Sequence, residues 1–112
     1  PLREFLHVDD LGEACVFALE HWSPPIGQLT YLNVGTGIDV SIRELAQFVA
    51  AATGYQGDIH WDASKPDGTP KKQLDVTRLA SLGWRARISL EEGLTSTVSL
   101  FRQELVQQLA RL

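Results

Sequence analysis

The most chemically informative part of this chain is a polar loop at residues 62–72, in which prolines and a glycine interrupt two aspartates and three lysines. The loop therefore carries +1 (three positive minus two negative charges), whereas the whole chain carries −4. Ammonium groups suit phosphate, and carboxylates accept hydrogen bonds from hydroxyl or N–H groups. Pro66, Asp67 and Gly68 predict a tight turn. Loops this long are usually functional or disordered, and a solvated connector is the alternative.

Three blocks of sequence carry a resemblance to a known family. Residues 65–70 read Lys-Pro-Asp-Gly-Thr-Pro, with Leu-Asp-Val-Thr-Arg at 74–78; residues 3–10 read Arg-Glu-Phe-Leu-His-Val-Asp-Asp; and residues 33–37 read Asn-Val-Gly-Thr-Gly. Over nearly its whole length the chain resembles the C-terminal substrate-binding part of the GDP-L-fucose synthases, which are extended short-chain dehydrogenases/reductases. The blocks at 3–10 and 33–37 also occur in other nucleotide-sugar enzymes of this kind, so the loop is the narrower signature.

The resemblance implies a substrate site for a GDP-sugar. In the family, the arginine that corresponds to Arg3 reaches the diphosphate, a role that suits a planar guanidinium charged at any working pH. Asp67 matches a loop aspartate that contacts the substrate, and Lys71 and Lys72 lie where the family places basic residues near the nucleotide. The bland alternatives are a surface arginine, an aspartate that stabilises its own turn, and solvated lysines.

The catalytic residues of the family find no match in this chain. The resemblance implies epimerisation at two carbons beside a ketone and then reduction by NADPH, with a Tyr-x-x-x-Lys pair. Tyr31 and Tyr55 are followed four positions later by Gly35 and Ile59. We therefore expect no catalytic residue here, and NADP bound in the intact enzyme by a missing N-terminal Rossmann domain.

The glycines of residues 33–37 invite a dinucleotide interpretation, because they follow a predicted strand and precede a predicted helix. The fingerprint requires a third glycine, and that position holds Val40; the acidic residue about twenty positions later is also missing. We interpret Gly35 and Gly37 as a tight turn, and expect this chain to bind no cofactor.

Other residues that could do chemistry have simpler interpretations. His7 and His60 lack a spaced catalytic partner and are predicted to be structural. A metal site at His7, Asp9 and Asp10 has poor geometry, and an aspartate as a helix cap fits better. Cys15 lies on an apolar stripe and is predicted to be a core thiol. No metal ligand set is predicted.

Composition limits the classes of partner and compartment. The net charge of −4 argues against nucleic-acid binding. No apolar run approaches the ~20 residues of a membrane span, so no membrane partner is expected. The single Cys15 excludes an internal disulfide and fits the cytoplasm.

Strands alternate with helices, so the predicted fold class is α/β, with residues 1–112 forming one C-terminal lobe. Strands are predicted at 3–8, 30–34 and 58–61. Four helices are predicted to begin at Asp10, Ser41, Asp75 and Ser89, the second and third ending at Gly54 and Gly83. Because the strands are few and short, sheet partners are expected to be missing. The orphan strand at 30–34 and the apolar helix faces at 42–52 and 90–109 predict a possible homodimer.

Two other functions compete with this interpretation. The chain could be the lobe of a different nucleotide-sugar epimerase or dehydratase, which residues 3–10 alone do not exclude. It could also be a free-standing, non-catalytic binding or assembly module. The length of the gene upstream of Pro1 would separate these possibilities.

We predict that the isolated 112-residue chain neither binds NADPH nor acts as an epimerase or reductase, because the glycine fingerprint and the Tyr-x-x-x-Lys pair are missing. The chain is mixed with NADPH and the 4-keto sugar nucleotide, and absorbance at the nicotinamide band is followed. Substrate-dependent oxidation of NADPH would contradict the prediction.

Overall fold

The computed structural model describes residues 1–24, 26–27 and 31–107. Seven elements follow one another along the chain: strand β1 (Leu2–Glu4), helix α1 (Val8–His21), strand β2 (Asp39–Ser41), helix α2 (Ile42–Thr53), strand β3 (Lys71–Lys72), helix α3 (Thr77–Leu82) and helix α4 (Leu90–Val106). The α/β class and the four helices are confirmed. Among the helices in the described ranges, none has both the length and the apolar character needed to cross a membrane.

The three strands form one small sheet with β1 in the middle. β2 runs antiparallel to β1 and places Val40 opposite Arg3. β3 runs parallel to β1 and places Lys72 opposite Arg3. Every described strand therefore meets β1, which makes residues 2–4 the organising strand of the sheet.

The strand predictions were largely wrong. Residues 3–8 contain β1, shifted toward the N-terminus and shorter than expected. Residues 31–34 and 58–61 belong to no strand, and residue 30 lies outside the described residues. The actual partners of β1 are β2 and β3, and β3 lies inside the loop at 62–72. A two-residue strand of lysines has no periodic apolar pattern, so sequence alone gives no signal for it.

The helix boundaries follow the capping predictions at α2 and α4. Helix α3 ends at Gly83 as predicted, but its N-cap is Val76, without a side-chain cap bond, and not Asp75. Ser41 and Glu44 form the full capping box that begins α2, and Gly54 ends that helix with a φ of 76°. The Ser89 side chain likewise accepts from the backbone N–H of Glu92 at the start of α4. Helix α1 instead begins one turn early, where the His7 ring accepts from the backbone N–H of Asp9 at 3.0 Å. The predicted cap at Asp10 was wrong.

Asp10 is buried rather than exposed at a helix end, with 1% of its surface accessible. Its carboxylate accepts hydrogen bonds from the backbone N–H of Ile88 at 2.9 Å and of Arg87 at 3.2 Å. The Arg87 side chain also reaches back to Glu13 at 2.9 Å. These contacts join the start of α1 to the segment that leads into α4.

The small core lies beneath these contacts. Ala14, Leu79 and Trp84 are buried, and half-buried apolar residues surround them: Leu6, Phe17, Leu32, Val34 and Ala86. Helices α2 and α4 pack against each other, although none of the residues of α2 is fully buried.

The apolar stripe of α1 points away from this core. Val8 and Leu19 are 72% and 87% exposed, and Cys15 is exposed, so its prediction as a core thiol was wrong. The buried positions Asp10 and Ala14 lie on the opposite side of the helix. A helix with apolar residues on both sides is typical of an element covered on both sides.

We predict that Asp10→Ala lowers the free energy of unfolding by roughly 2–4 kcal/mol, because two N–H groups lose a charged acceptor in a buried site. Urea denaturation measures the change. Asp9→Ala, one residue away on the exposed surface, is the control and should cost under about 1 kcal/mol. Equal losses for the two variants would show that the buried carboxylate has no special role.

Candidate functional site

Strand β1 sorts the basic residues onto the two faces of the sheet. Residues directly opposite each other in neighbouring strands point to the same side, so Arg3 and Lys72 share one face. Lys71 opposes Leu2 and lies on the other face. There its ammonium nitrogen is 3.7 Å from the Asp39 carboxylate. The structure thus brings Arg3 and Lys72 together and separates Lys71 from them.

The Arg3 guanidinium is tied to the charged loop. Its Nη1 donates to the carbonyl oxygens of Leu2 and Thr69, each at 2.7 Å. The loop is held against β1 by a further backbone bond, from the Leu2 N–H to the Pro70 carbonyl at 2.7 Å. The end of the predicted loop is therefore fastened to β1 and to Arg3, although the residues of the loop are exposed.

The prediction of a turn at residues 66–68 was wrong: the turn lies at residues 63–64, closed by a hydrogen bond from the Lys65 N–H to the Asp62 carbonyl at 3.3 Å. Asp62 accepts from both the hydroxyl and the backbone N–H of Ser64, which holds the pKa of Asp62 below its usual range. Gly68 is absent from the described glycines with positive φ, so it does not close a left-handed turn. Its role is a close approach instead: a Cβ built on Gly68 would lie 3.1 Å from Nη2 of Arg3.

Asp67 is exposed next to this contact. Within the described part of the chain its carboxylate makes no hydrogen bond or ion pair with another side chain or with its own backbone. The alternative of an aspartate that stabilises its own turn therefore finds no contact to support it. The carboxylate is open to a ligand on the loop that holds Arg3.

Glu4 is a structuring residue that sequence reasoning missed. Its Oε2 accepts from the backbone N–H of Gly37 at 2.9 Å, in a turn where Gly37 has a φ of 74°. A Cβ on Gly35 would lie 2.1 Å from the other carboxylate oxygen, so this carboxylate requires glycine there. Gln73, just after β3, donates its side-chain amide to the Gly37 carbonyl. In the sequence, the only sign of this contact is the pair Gly35 and Gly37 about thirty residues after Glu4. Only the fold shows that they meet.

The glycine turn does not fit a dinucleotide phosphate. The Gly37 N–H is already bonded to a carboxylate, and a second anion at that place would meet like charge. The tight turn predicted for residues 35–37 is consistent with this geometry.

The segment after β3 is fastened to residues 31–37. Asn33 donates to the Asp75 carbonyl at 3.2 Å, and Arg78 donates to the Tyr31 carbonyl at 3.2 Å. The Thr77 hydroxyl and backbone N–H both bond to the Asp75 carboxylate, which lowers the pKa of Asp75. These bonds fix where the chain leaves the charged loop.

A mostly apolar cavity of about 370 Å³ adjoins β1 and β2. Val40, which pairs with Arg3 in the neighbouring strand β2, is part of the cavity wall. Phe5, Ile38, Ile88 and Leu90 line it further, and Arg87 adds one cationic group. An apolar wall beside a few polar groups is typical of a small-molecule site, although neither Arg3 nor Lys72 is among the lining residues.

The remaining candidates have structural surroundings. His7 caps α1, and its Nε2 lies 3.4 Å from the Ser96 hydroxyl. His60 is exposed. The Arg43 guanidinium lies 5.8 Å from the ring centroid of Trp61.

The sequence of this chain is similar to those of known proteins. The chain is 48% identical over 108 residues to a putative GDP-L-fucose synthase 2 of Arabidopsis thaliana, covering 96% of this chain and 32% of the relative. It is 53% identical over 109 residues to the GDP-L-fucose synthase of Escherichia coli K12, covering 90% of this chain and 33% of the relative. The chain belongs to the GDP-L-fucose synthase family of extended short-chain dehydrogenases/reductases.

The fold agrees with this membership. A GDP-mannoheptose C4 reductase from Campylobacter jejuni, solved with NADP bound, superimposes with a TM-score of 0.78 at 31% identity, covering 90% of this chain and 32% of that one. No model of a protein family matches the chain. The chain spans about a third of the length of the curated relatives it matches and corresponds to the C-terminal part of the family.

Proposed function

We propose that this chain is the nucleotide-sugar-binding part of a GDP-L-fucose synthase-like, NADP-dependent epimerase/reductase. The observation that carries the proposal is the pair of cations on one face of the sheet, Arg3 and Lys72, with Arg3 held by backbone carbonyls of the charged loop. In the family context this pair meets the diphosphate of a GDP-sugar. The chain binds and orients the substrate, while the chemistry takes place on residues outside it.

Each candidate residue has a distinct part in this proposal. Arg3 donates to the diphosphate through the nitrogens that its backbone bonds leave open, and Lys72 adds positive charge on the same face. Asp67 accepts hydrogen bonds from sugar hydroxyls or from guanine N–H groups. Lys71, on the opposite face beside Asp39, contributes charge at longer range and holds the loop in place.

The cofactor belongs elsewhere in this proposal. Because the glycine turn at 35–37 is occupied by Glu4, we place NADP in a Rossmann domain that precedes this region in the intact enzyme. The sugar part of the substrate is then enclosed between that domain and the loop at 62–72, and this chain contributes binding and orientation. Its single cysteine fits a cytoplasmic protein.

We predict that Arg3→Ala weakens binding of the GDP-sugar roughly 10- to 150-fold, because a charge-assisted bond to phosphate contributes about 1.5–3 kcal/mol. Affinity for NADPH should be unchanged. The test uses a complete synthase in which this chain replaces the matching region of the Escherichia coli relative, with KM for the sugar nucleotide and Kd for NADPH as readouts.

The matched control is Lys65→Ala, which removes one positive charge from the same loop outside the sheet and should leave KM within about twofold. An unchanged KM in the Arg3 variant would make Arg3 an ordinary surface residue. Lys72→Ala should fall between the two, because an ammonium is a single-point contact.

The alternative nucleotide-sugar enzymes share residues 3–10, so base specificity decides between them. Binding of GDP, UDP and dTDP to the same chimeric synthase separates the possibilities. A preference for GDP supports the proposal, and a preference for UDP or dTDP favours another epimerase or dehydratase. Equal weakness for all three favours a non-catalytic assembly module.

The exposed stripe of α1 points to the partner that the chain requires. Val8, Leu11, Cys15 and Leu19 form this exposed stripe, away from the buried side of the helix, and residues 31–34 have no sheet partner in the described ranges. We propose that the remaining two thirds of the synthase covers both. The helix faces at 42–52 and 90–106 pack on each other in part; Leu109 lies outside the described residues.

We predict that the isolated chain self-associates at micromolar concentration, because this surface is otherwise in water. Leu19→Lys should shift sedimentation toward monomer, while Gln47→Lys on the exposed side of α2 should not. Alkylation of Cys15 gives a second readout: it should slow as the chain concentration rises, and slow further in the complete chimera. A monomer with fast Cys15 alkylation at every concentration would contradict the prediction.

A further inference from the structure

Gly68 lies beside the Arg3 guanidinium in the proposed anion site. Arg3 Nη1 is already committed to two carbonyl oxygens, at 2.7 Å each. Nη2 makes no hydrogen bond to any residue that the structure describes, and it faces Gly68, where a Cβ would lie at 3.1 Å. Of the two terminal nitrogens of Arg3, the one left open for a ligand is therefore the one that Gly68 faces.

The requirement for glycine here is steric and not conformational. The glycines with positive φ in the described ranges are Gly27, Gly37, Gly54 and Gly83, and Gly68 is not among them. An alanine at 68 is therefore free of left-handed backbone strain, and its main consequence is the methyl group beside Nη2. This separates an effect on Arg3 from an effect on the loop backbone.

We propose that Gly68 is a positioning residue for anion recognition by Arg3: its missing side chain lets the guanidinium lie flat on the loop with Nη2 open to a diphosphate oxygen. The proposal rests on the proposed function, since it requires Arg3 to bind the nucleotide. It adds that the specificity of the loop comes from a backbone surface and an absent Cβ, and not from charged side chains alone.

A methyl group at residue 68 leaves the guanidinium two responses. It can move by a few tenths of an ångström, which lengthens the bonds from Nη1 to Leu2 and Thr69, or it can stay and share the space beside Nη2 with the methyl group. Either response displaces or crowds Nη2, and thereby weakens the charge-assisted bond that it would donate to a phosphate oxygen. Small misplacements of a binding group are costly, so we expect GDP to bind about three- to tenfold more weakly.

The experiment is a double-mutant cycle in the complete chimeric synthase, with GDP as the probe and its Kd measured by calorimetry. Gly68→Ala is made in the native background and in Arg3→Ala. We expect the three- to tenfold loss in the native background and less than about a twofold change without Arg3, because the effect acts through that side chain. Gly68→Val should lose more than Gly68→Ala. Lys65→Ala, in the same loop but away from Arg3, is the matched control and should leave Kd within about twofold.

The outcomes separate the inference from the function on which it rests. If Arg3→Ala itself leaves Kd unchanged, the proposed function fails. If Arg3→Ala weakens GDP binding but Gly68→Ala does not, the positioning role is wrong and the proposed function stands. Equal losses from Gly68→Ala in both backgrounds would assign its effect to the loop and overturn the positioning role. Thermal unfolding of each variant identifies any that has not folded. If Gly68→Val does not fold, the result for Gly68→Ala decides the test.

Discussion

The buried carboxylate of Asp10 is the contact on which the rest of this fold depends. It lies on α1, near the N-terminal end, and bonds to backbone N–H groups almost eighty residues later. A charge withdrawn from water is tolerated only where hydrogen bonds replace its hydration, so this bond has a single satisfactory partner arrangement. It joins the start of α1, which also carries the buried Ala14, to the segment at residues 87–88, and part of that segment lines the cavity beside β1.

Strand β1 then distributes function between the two faces of a very small sheet. The backbone N–H of Leu2 binds the end of the charged loop, and the Arg3 side chain donates to a carbonyl of the same loop. Glu4, on the opposite face, accepts a hydrogen bond from the glycine turn. The alternation of a strand makes these separate tasks for consecutive residues. A one-residue slip of register would exchange Arg3 and Glu4 between a site for an anion and a turn built around a carboxylate.

The exposed surfaces of the chain are as informative as its core. A core of three fully buried apolar side chains in the described ranges is small for a chain of this length. Helix α1 is apolar on both sides, and the relatives are about three times as long as this chain. The same polypeptide thus combines a proposed substrate-binding site at β1 and β3 with surfaces suited to burial against further protein. Because the proposed grip on the substrate lies at the first of these, it can be studied apart from the chemistry.

Local patterns alone determined much of this protein. The capping box at Ser41, the cap at Ser89, and the glycines that end α2 and α3 follow from side-chain chemistry within four residues, so sequence predicted them correctly. Family motifs singled out Arg3 and the loop at 62–72. The α/β class follows from the alternation of periodic segments.

Only the tertiary structure decided which residues meet. Lys71 and Lys72 are neighbours of one type in the sequence, yet pairing with β1 sends them to opposite faces. Asp10 has the spacing of a helix cap, yet its partners lie 77 and 78 positions away. Gly68 looked like a turn residue, and its actual requirement is the nearness of Arg3. Each of these depends on contacts between distant segments, whose register and burial no local pattern encodes. The sequence therefore named the chemical groups, and the fold chose their partners.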